Sequence, residues 1–550
     1  MKKPTIYSRV SWEQRLHGIP GPVYSLFWVK RLIDDLAGKD LKVVQKCLRL
    51  CIGLLSQALV INPYDPLTQD LFEQVSRLCP PTLPFSVWYK VIRKTLAGEP
   101  DISSQEADKM VNSAGRDLDA LAKYTGRGNP ALVRFLGLMK LWELGEAELL
   151  LKMGEAFCSL PEGVAVAPFL AWAAWRSGEK DLAFEFLAKC PENFLTHNLR
   201  AEAAFEDKDA GSAVKHYLRS LDFEPGQPSL VYRLYEASRP RPDQGLLRDG
   251  RVHILFYTFN KLRITLDTLE SLLATNIGQA EITLLNNGST AFSPGDLDRG
   301  VENIAQGRKV RLIHLPANIG APAARNWLWH LPETARAKYV AFLDDDVLLP
   351  ENWLTCYLQD LSQNPETVAV GPKCVNPLPT RTVQYVGRFF NGTADHKILF
   401  THNAPCLWDL GQYDHRRPCL SVMGCCHLFN RALCEKLNIP DFDICFSPSQ
   451  VDDLEHDIQI WKAGGQVLYD GRVHVIHRQD VGSNQWVMNE ADWGHVWGNH
   501  MKMEFKFSGR ELQDIDKAVL QEDERFWRQC LETLGDMLPG PTRAFFGIPA

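Results

Sequence analysis

Residues 339–350 read Tyr-Val-Ala-Phe-Leu-Asp-Asp-Asp-Val-Leu-Leu-Pro, an apolar run that stops on three consecutive carboxylates, Asp344, Asp345 and Asp346. Such a run, bounded by polar residues, suits a strand buried in a parallel sheet. Carboxylates at its C-terminal end lie where open α/β sheets bind ligands. Three adjacent acids repel one another unless positive charge lies between them, and hard divalent cations prefer oxygen donors. On an extended chain Asp344 and Asp346 point the same way, so both can face one metal-bound diphosphate. Taken alone, the triplet reads equally well as a solvated turn. The segments around it decide.

Three more stretches share its form. Residues 251–260 open as a buried strand and end polar at Thr258 and Asn260, and a helical stretch, 263–274, follows. Residues 281–285 form a second strand that runs into Asn286-Asn287-Gly288-Ser289-Thr290, a tight turn whose amides suit a ligand. A third, 310–315, leads to Asn318-Ile-Gly320-Ala-Pro322-Ala-Ala-Arg325-Asn326. Pro322 suits a first helical turn, and Arg325 then lies about one turn in, near the positive helix end, a good position for a diphosphate. Strands alternating with helices imply a largely parallel, doubly wound sheet. All four strands end polar, so their C-terminal edge is the expected site.

The ordered set Thr258-x-Asn260, Asn287-Gly288-Ser289-Thr290, Asn318-x-Gly320…Arg325-Asn326 and Asp344-x-Asp346 resembles glycosyltransferase family 2, with the α/β GT-A fold. The resemblance runs from residue 250 to about 480, somewhat under half the chain. It implies a nucleotide-sugar site built from Thr258, Asn260, Asn286, Asn287, Asn318, Arg325, Asp344, Asp345 and Gly424. Within it the ribose falls to Asp344, metal ligation to Asp346, and Asp345 sits behind them. Thr258 and Asn286 occupy the positions that hold the base. The family usually carries Asp at the Asn286 position; Asn offers a donor as well as an acceptor, which leaves the base and the donor open.

On the acceptor side, residues 421–431 resemble the family's segment between donor and acceptor sites, where Gly424 permits close approach of substrate. Gln450-Val-Asp452-Asp453-Leu-Glu455 aligns with the family's Glu-Asp-x-Asp pattern, which implies Asp453 as general base. Inverting transfer needs one such carboxylate to take the acceptor's proton as its oxygen attacks the anomeric carbon. Helix capping is the plainer reason to find acids at 452 and 453. The resemblance also implies that His477 completes the coordination of Mn²⁺ or Mg²⁺, since imidazole is a competent Mn²⁺ ligand. A surface histidine is the alternative there, and His474 reads as packing.

The rest of the chain is of another kind. Residues 1–237 read as amphipathic helices, in which Ala173-Ala174-Trp175…Ala183…Leu187…Pro191 is echoed by Ala203-Ala204-Phe205…Ala213…Tyr217…Pro225. This resembles degenerate tetratricopeptide repeats, which implies a curved surface for a protein partner. A Pro- and Gly-rich linker, 238–249, precedes the catalytic domain at 250–485, and a helical extension with Trp486, Trp493 and Trp497 follows at 486–550.

Composition is that of an ordinary globular protein, 45% hydrophobic and 23% charged with a net charge of −7, and nothing in it suggests nucleic-acid binding. Residues 1–51 carry ten Lys or Arg against four acids, leaving +6 there and −13 in the remainder, so that end suits anionic lipid or simply a solvated helix. No apolar run approaches the ~20 residues of a membrane span, and no signal peptide is evident. The fourteen cysteines contain no Cys-x-x-Cys pair. A cytoplasmic location is expected, with possible contact at the inner membrane face.

The sequence therefore reads as a metal-dependent inverting glycosyltransferase. It would move a sugar from a nucleoside diphosphate to a hydroxyl of a glycan or protein. An inactive transferase-like scaffold that binds protein through its helices is the main alternative. A nucleotidyltransferase would need a Gly- and Lys-rich loop after the first strand, which residues 258–262 lack.

Overall fold

The computed structural model describes most of residues 29–546; residues 1–28, 81–88, 95–99, 401–407 and 479–489, with some shorter stretches, lie outside the described residues. Most of the basic N-terminal segment and Trp486 fall in those stretches, so their expected roles are not addressed by the fold.

The N-terminal region is a stack of antiparallel helix pairs. Ala131–Leu144 pairs with Ala147–Cys158, Ala167–Arg176 with Lys180–Lys189, and Phe194–Glu206 with Ala210–Phe223. Each pair is closed by the same turn. A left-handed residue ends the first helix at Gly145 (φ 86°), Gly178 (φ 88°) and Lys208 (φ 63°). The next amide reaches back to a carbonyl in the last turn: Glu146 N to Leu141 O, Glu179 N to Ala174 O, Asp209 N to Ala204 O, each 2.9 Å. This is the Schellman arrangement, which satisfies carbonyls a helix end leaves free. The echoed residues Ala173, Ala174, Ala203, Ala183 and Ala213 are all buried, and their small side chains let the helices approach.

The second half of the chain carries a mixed sheet. Its strands are β1 (Val252–Thr258), β2 (Glu281–Asn286), β3 (Val310–His314), β4 (Tyr339–Leu343), β5 (Val347–Leu348), β6 (Thr367–Val375), β7 (Val383–Tyr385), β10 (Arg416–Pro418), β11 (Cys426–Asn430) and β12 (Gln466–His477). A separate hairpin pairs β8 (Phe390–Ala394) with β9 (Lys397–Phe400). The order β10-β12-β6-β11-β4-β1-β2-β3 puts the acid-terminated β4 beside β1 in mid-sheet, with β5 and β7 attached at the side. β1, β2, β3 and β4 run parallel, as do β6 and β12; β11 is antiparallel between β4 and β6. Register fixes the site: Thr258 lies opposite Asn286, Asn286 opposite His314, and Phe256 opposite Leu343. The polar ends of all four parallel strands thus meet along one edge.

Alternation sends successive side chains to opposite faces, and helices cover both. Leu255, Leu285 and Phe342 pack against the Ala321–Trp329 and Asp452–Lys462 helices. Ile254, Leu284 and Leu343 pack against Leu262–Leu273, Pro294–Ala305 and Trp353–Gln363. This mostly parallel α/β sheet is the architecture expected for the catalytic region.

Helical and catalytic regions meet along a seam of buried ion pairs. Arg417 lies 2.8 Å from Asp523 of the Gly509–Leu534 helix, and Arg416 reaches both Glu236 (3.0 Å) and Asp360 (2.8 Å). Arg233 holds Glu202 at 3.2 Å and donates to the Asp414 carbonyl. Lys373, fully buried on β6, sits between Asp409 and Asp414. Trp172 stacks on Trp408 with ring centroids 5.3 Å apart and donates its indole N–H to the Asp409 carbonyl. Described residues of the expected linker are packed as well: Arg239 donates to Gln363, and Leu247, on the short Leu246–Asp249 helix, is buried in the sheet's core.

At the C-terminal end, the Glu490–Lys506 helix docks through Met503 and Asn499, whose amide donates to the carbonyls of Phe446 and Ser449 at 2.9 and 2.7 Å. Trp497 points away, 64% exposed. Among the described residues no helix is long and apolar enough to cross a membrane.

Candidate active site

Asp344 and Asp346 leave β4 at the sheet's edge. His477, the last residue of β12, is brought to them by pairing of β12 with β5, His477 opposite Val347. One ligand atom from each of the three lies within 4.8 Å of the others. His477 Nε2 is 3.2 Å from Asp346 Oδ1, while its Nδ1 faces Gln384 Oε1 at 2.8 Å. A proton on Nδ1 fits that contact and leaves Nε2 for a ligand, the arrangement usual for a metal-binding imidazole. The resemblance implied metal ligation for Asp346 and His477 and the ribose for Asp344; the structure gathers all three. Two carboxylates and an imidazole suit Mn²⁺, whereas Mg²⁺ prefers oxygen alone.

Sequence reasoning missed Lys261. Its ammonium is 3.0 Å from Asp346 Oδ2 and 3.4 Å from Asp345 Oδ1. The available signal was its place immediately after Thr258-x-Asn260, where left-handed Asn260 (φ 60°) turns the chain back over the strand end. Burial opposes charge on every group here, and neighbours decide which keep it. For Lys261 burial lowers the pKa, but Asp345 and Asp346 outweigh it and raise it. His477 is likewise lifted to about 9 by Asp346 against the effect of burial. Asp346 ends well below the usual carboxylate range because His477 and Lys261 together overcome its burial. Asp345 is pushed up to about 6 by burial, with Lys261 opposing.

The asparagines of the three loops tie the loops together, Asn287 and Asn318 through each other and Asn260 and Asn286 through neighbouring amides. Asn287 Nδ2 donates to Asn318 Oδ1 at 2.9 Å, and Asn287 Oδ1 accepts from Ile319 N. Asn260 Oδ1 accepts from the amides of Thr290 (2.7 Å) and Ala291 (2.9 Å). Gly288 (φ 70°) lies so close to the third loop that a Cβ would come within 2.2 Å of the Ala317 carbonyl carbon. Thr258 Oγ1 is buried 2.6 Å from Thr265 Oγ1. Asn286 accepts from Ser289 N and turns Nδ2 to His314 Nδ1 at 3.3 Å, and His314 Nε2 meets Asp298 at 2.9 Å. An Asn amide can donate to that imidazole, which leaves the Nε2 proton for Asp298; an Asp at 286 has no proton to give. The departure from the family's Asp has a local physical reason.

Arg325 was expected to face a diphosphate. It is instead buried between two carboxylates, 2.5 Å from Asp452 and 3.4 Å from Asp344, with Tyr257 and Phe442 against its guanidinium. Asp453 is the second residue of the Asp452–Lys462 helix. Its Oδ2 accepts the Gly424 N–H at 2.9 Å, and a Cβ on Gly424 would meet Asp453 Cβ at 2.8 Å. Only glycine allows that approach. Gln450 (φ 84°) and Val451 (φ 59°) lead into the helix in left-handed conformations that side chains rarely adopt, a strain that clusters at working sites. Glu455 is turned away and pairs with Lys506. One strap, residues 421–425, joins the two halves: Asp344 N donates to Cys425 O at 2.9 Å, and Gly424 N to Asp453.

Comparisons with known proteins bear on what this edge does. Residues 254–437 match the family model described as Glycosyl transferase family 2. An uncharacterized glycosyltransferase of Rickettsia bellii (strain RML369-C) is 27% identical over 157 residues, 28% of this chain and 21% of that protein. One from Rickettsia felis (strain ATCC VR-1525 / URRWXCal2) is 27% identical over 119 residues, 22% of this chain and 18% of that protein. The matched segment thus spans about a fifth of those relatives. Among solved structures, a crystal structure of GalNAc-T7 with UDP, GalNAc and Mn²⁺ is 15% identical, covers 54% of this chain and 59% of that one, and superposes with a TM-score of 0.37.

Proposed function

We propose that this chain, whose residues 254–437 form a glycosyltransferase family 2 domain, is a metal-dependent enzyme. It moves a sugar from a nucleoside diphosphate to a hydroxyl of a glycan or protein with inversion. The observation that carries the reading is the meeting of Asp344, Asp346 and His477 within 4.8 Å beside a strap that bonds Asp344 at Cys425 and Asp453 at the adjacent Gly424.

Asp344, Asp346 and His477 hold the divalent ion, Mn²⁺ by the chemistry of the set. When bound, that ion neutralises the departing diphosphate. The Asn260, Asn286, Asn287 and Asn318 loops frame the nucleoside, their side chains keeping the backbone amides in place. Arg325 fixes Asp344 and Asp452 in place, its charge opposing the upward push of burial on both. Asp453 takes the acceptor's proton from the face opposite the diphosphate, and a single displacement needs no covalent intermediate. A protein partner, if the helices bind one, uses their faces outside the seam.

The test is a thermal-shift screen of UDP-, GDP-, dTDP- and CMP-sugars with and without Mn²⁺, alongside Asp346→Ala. One nucleotide should stabilise the wild type only with Mn²⁺ and the variant not at all. No response to any donor would sink the enzymatic reading in favour of a protein-binding scaffold.

A further inference from the structure

One buried acid at this site has no part in the mechanism above. Asp457 lies on the Asp452–Lys462 helix one turn beyond Asp453 and is fully buried. Its Oδ2 accepts the Val422 N–H at 3.1 Å, its Oδ1 has no partner in good hydrogen-bond geometry among the described residues, and the Ser421 side chain also acts on the carboxyl. Arg325, the cation whose charge it feels, is already engaged by Asp452 and Asp344. Two carboxyls on the same face of one helix thus grip the same strap two residues apart, Asp457 at Val422 and Asp453 at Gly424. Beyond Gly424 the strap continues to Cys425, whose carbonyl accepts from Asp344 N. Before Val422 it is held at Ser421, whose carbonyl accepts from Arg388 N at 2.8 Å.

Resting on the function proposed above, we infer that Asp457 is a positioning residue. It fixes the strap through the Val422 amide so that Gly424 presents its N–H to Asp453 and holds the base in line with the metal triad. It works as a neutral acid. Burial pushes its pKa well above the carboxylate range, the Val422 N–H opposes this, and Asp453 adds to it. A second buried anion beside the base would repel it; a neutral carboxyl supplies the same acceptor oxygen without that charge. The role is thus distinct from proton abstraction, which needs the ionised form.

The test compares Asp457→Asn, Asp457→Ala and Asp453→Asn in the full chain, reading kcat, donor KM and the pH profile. Asn keeps the acceptor oxygen and the neutrality. Asp457→Asn should stay within about threefold of wild type with an unchanged pH profile, and Asp457→Ala should lose about tenfold or more in kcat with donor KM little altered. Should the Ala variant not fold, Asp457→Ser, too short to reach Val422, takes its place. If Asp457→Asn is as impaired as Asp457→Ala, or if Asp457→Ala keeps wild-type kcat, the inference is overturned. If Asp457→Asn is dead while Asp453→Asn turns over, the base itself has been misassigned. Hydrogen exchange at Val422 and Gly424 separates this inference from the enzymatic one. Protection should fall in Asp457→Ala and persist in Asp457→Asn even if no donor is ever turned over, and equal protection in all three proteins overturns it.

Discussion

The interdomain seam and the catalytic edge are both rich in buried carboxylates, yet they treat charge in opposite ways. Along the seam each acid has its cation: Asp523 has Arg417, Glu236 and Asp360 share Arg416, Glu202 has Arg233, and Asp409 and Asp414 share Lys373. At the edge, among the described residues, Asp344, Asp345, Asp346, Asp452, Asp453 and Asp457 are set against three cationic side chains, Lys261, Arg325 and His477. Matched buried pairs are costly to break but contribute modestly to net stability, so a matched seam serves to fix which surfaces meet. An unmatched cluster is costly as it stands, and the surplus of negative charge is what a divalent cation and a proton-accepting reaction require.

Four experiments would break or sharpen that contrast. The largest effect belongs to the unmatched side. Asp453→Asn should lower kcat by about 10²–10⁴ with metal-dependent donor binding retained, read by steady-state kinetics beside calorimetry. Retained turnover would place the base elsewhere. On the matched side, Arg417→Met should strand Asp523 and cost about 3–5 kcal/mol in chemical denaturation, while Arg417→Met with Asp523→Leu should recover most of it. A double variant no better than the single one would mean the seam depends on the charges themselves.

Glu224 is a buried acid with neither a cation nor a place in the mechanism. Among the described residues its carboxyl accepts one hydrogen bond, from Gly226 N–H, and burial raises its pKa from 4.5 to about 7 against that bond. A carboxyl whose folded pKa is raised costs stability as pH climbs between those two values. Glu224→Gln should therefore exceed wild type by about 3 kcal/mol above pH 7, and the difference should vanish below about pH 4.5. A pH-independent difference would show that some unnoticed group pairs with it. The smallest effect concerns shape alone. Lys208 holds the left-handed turn that glycine supplies at 145 and 178, so Lys208→Gly should gain about 0.5–1 kcal/mol by thermal denaturation. A loss there would mean the lysine makes contacts worth more than its strain.

What could be read in the sequence was local. The β4 run with its acids, and the polar ends of β1, β2 and β3, announce themselves because a buried strand and its turn are each written in a few adjacent residues. The helix-pair echo of 173–191 in 203–225 is of the same kind. Arg325 shows where such reading stops. Its helix position was plain, but its partner Asp452 lies 127 residues along, and no local pattern couples the two. That Asn287 would bond Asn318, and Asn260 the amides of Thr290 and Ala291, depends on how three loops converge. The seam was invisible for a related reason: Arg416, Arg417 and Lys373 sit in strands whose neighbours are set by sheet order, and their acids come from helices far along the chain (Glu236, Asp360, Asp523) or from the stretch before β10 (Asp409, Asp414).

The strap from Ser421 to Cys425 carries a consequence for how such a protein changes over time. Asp344 and Asp453 are both tied to it through its main chain, one at the Cys425 carbonyl and the other at the Gly424 amide. The spacing of the two carboxylates is therefore written in the backbone. Apart from Gly424, the strap's side chains take no part in those two bonds, so they can vary while that spacing is inherited.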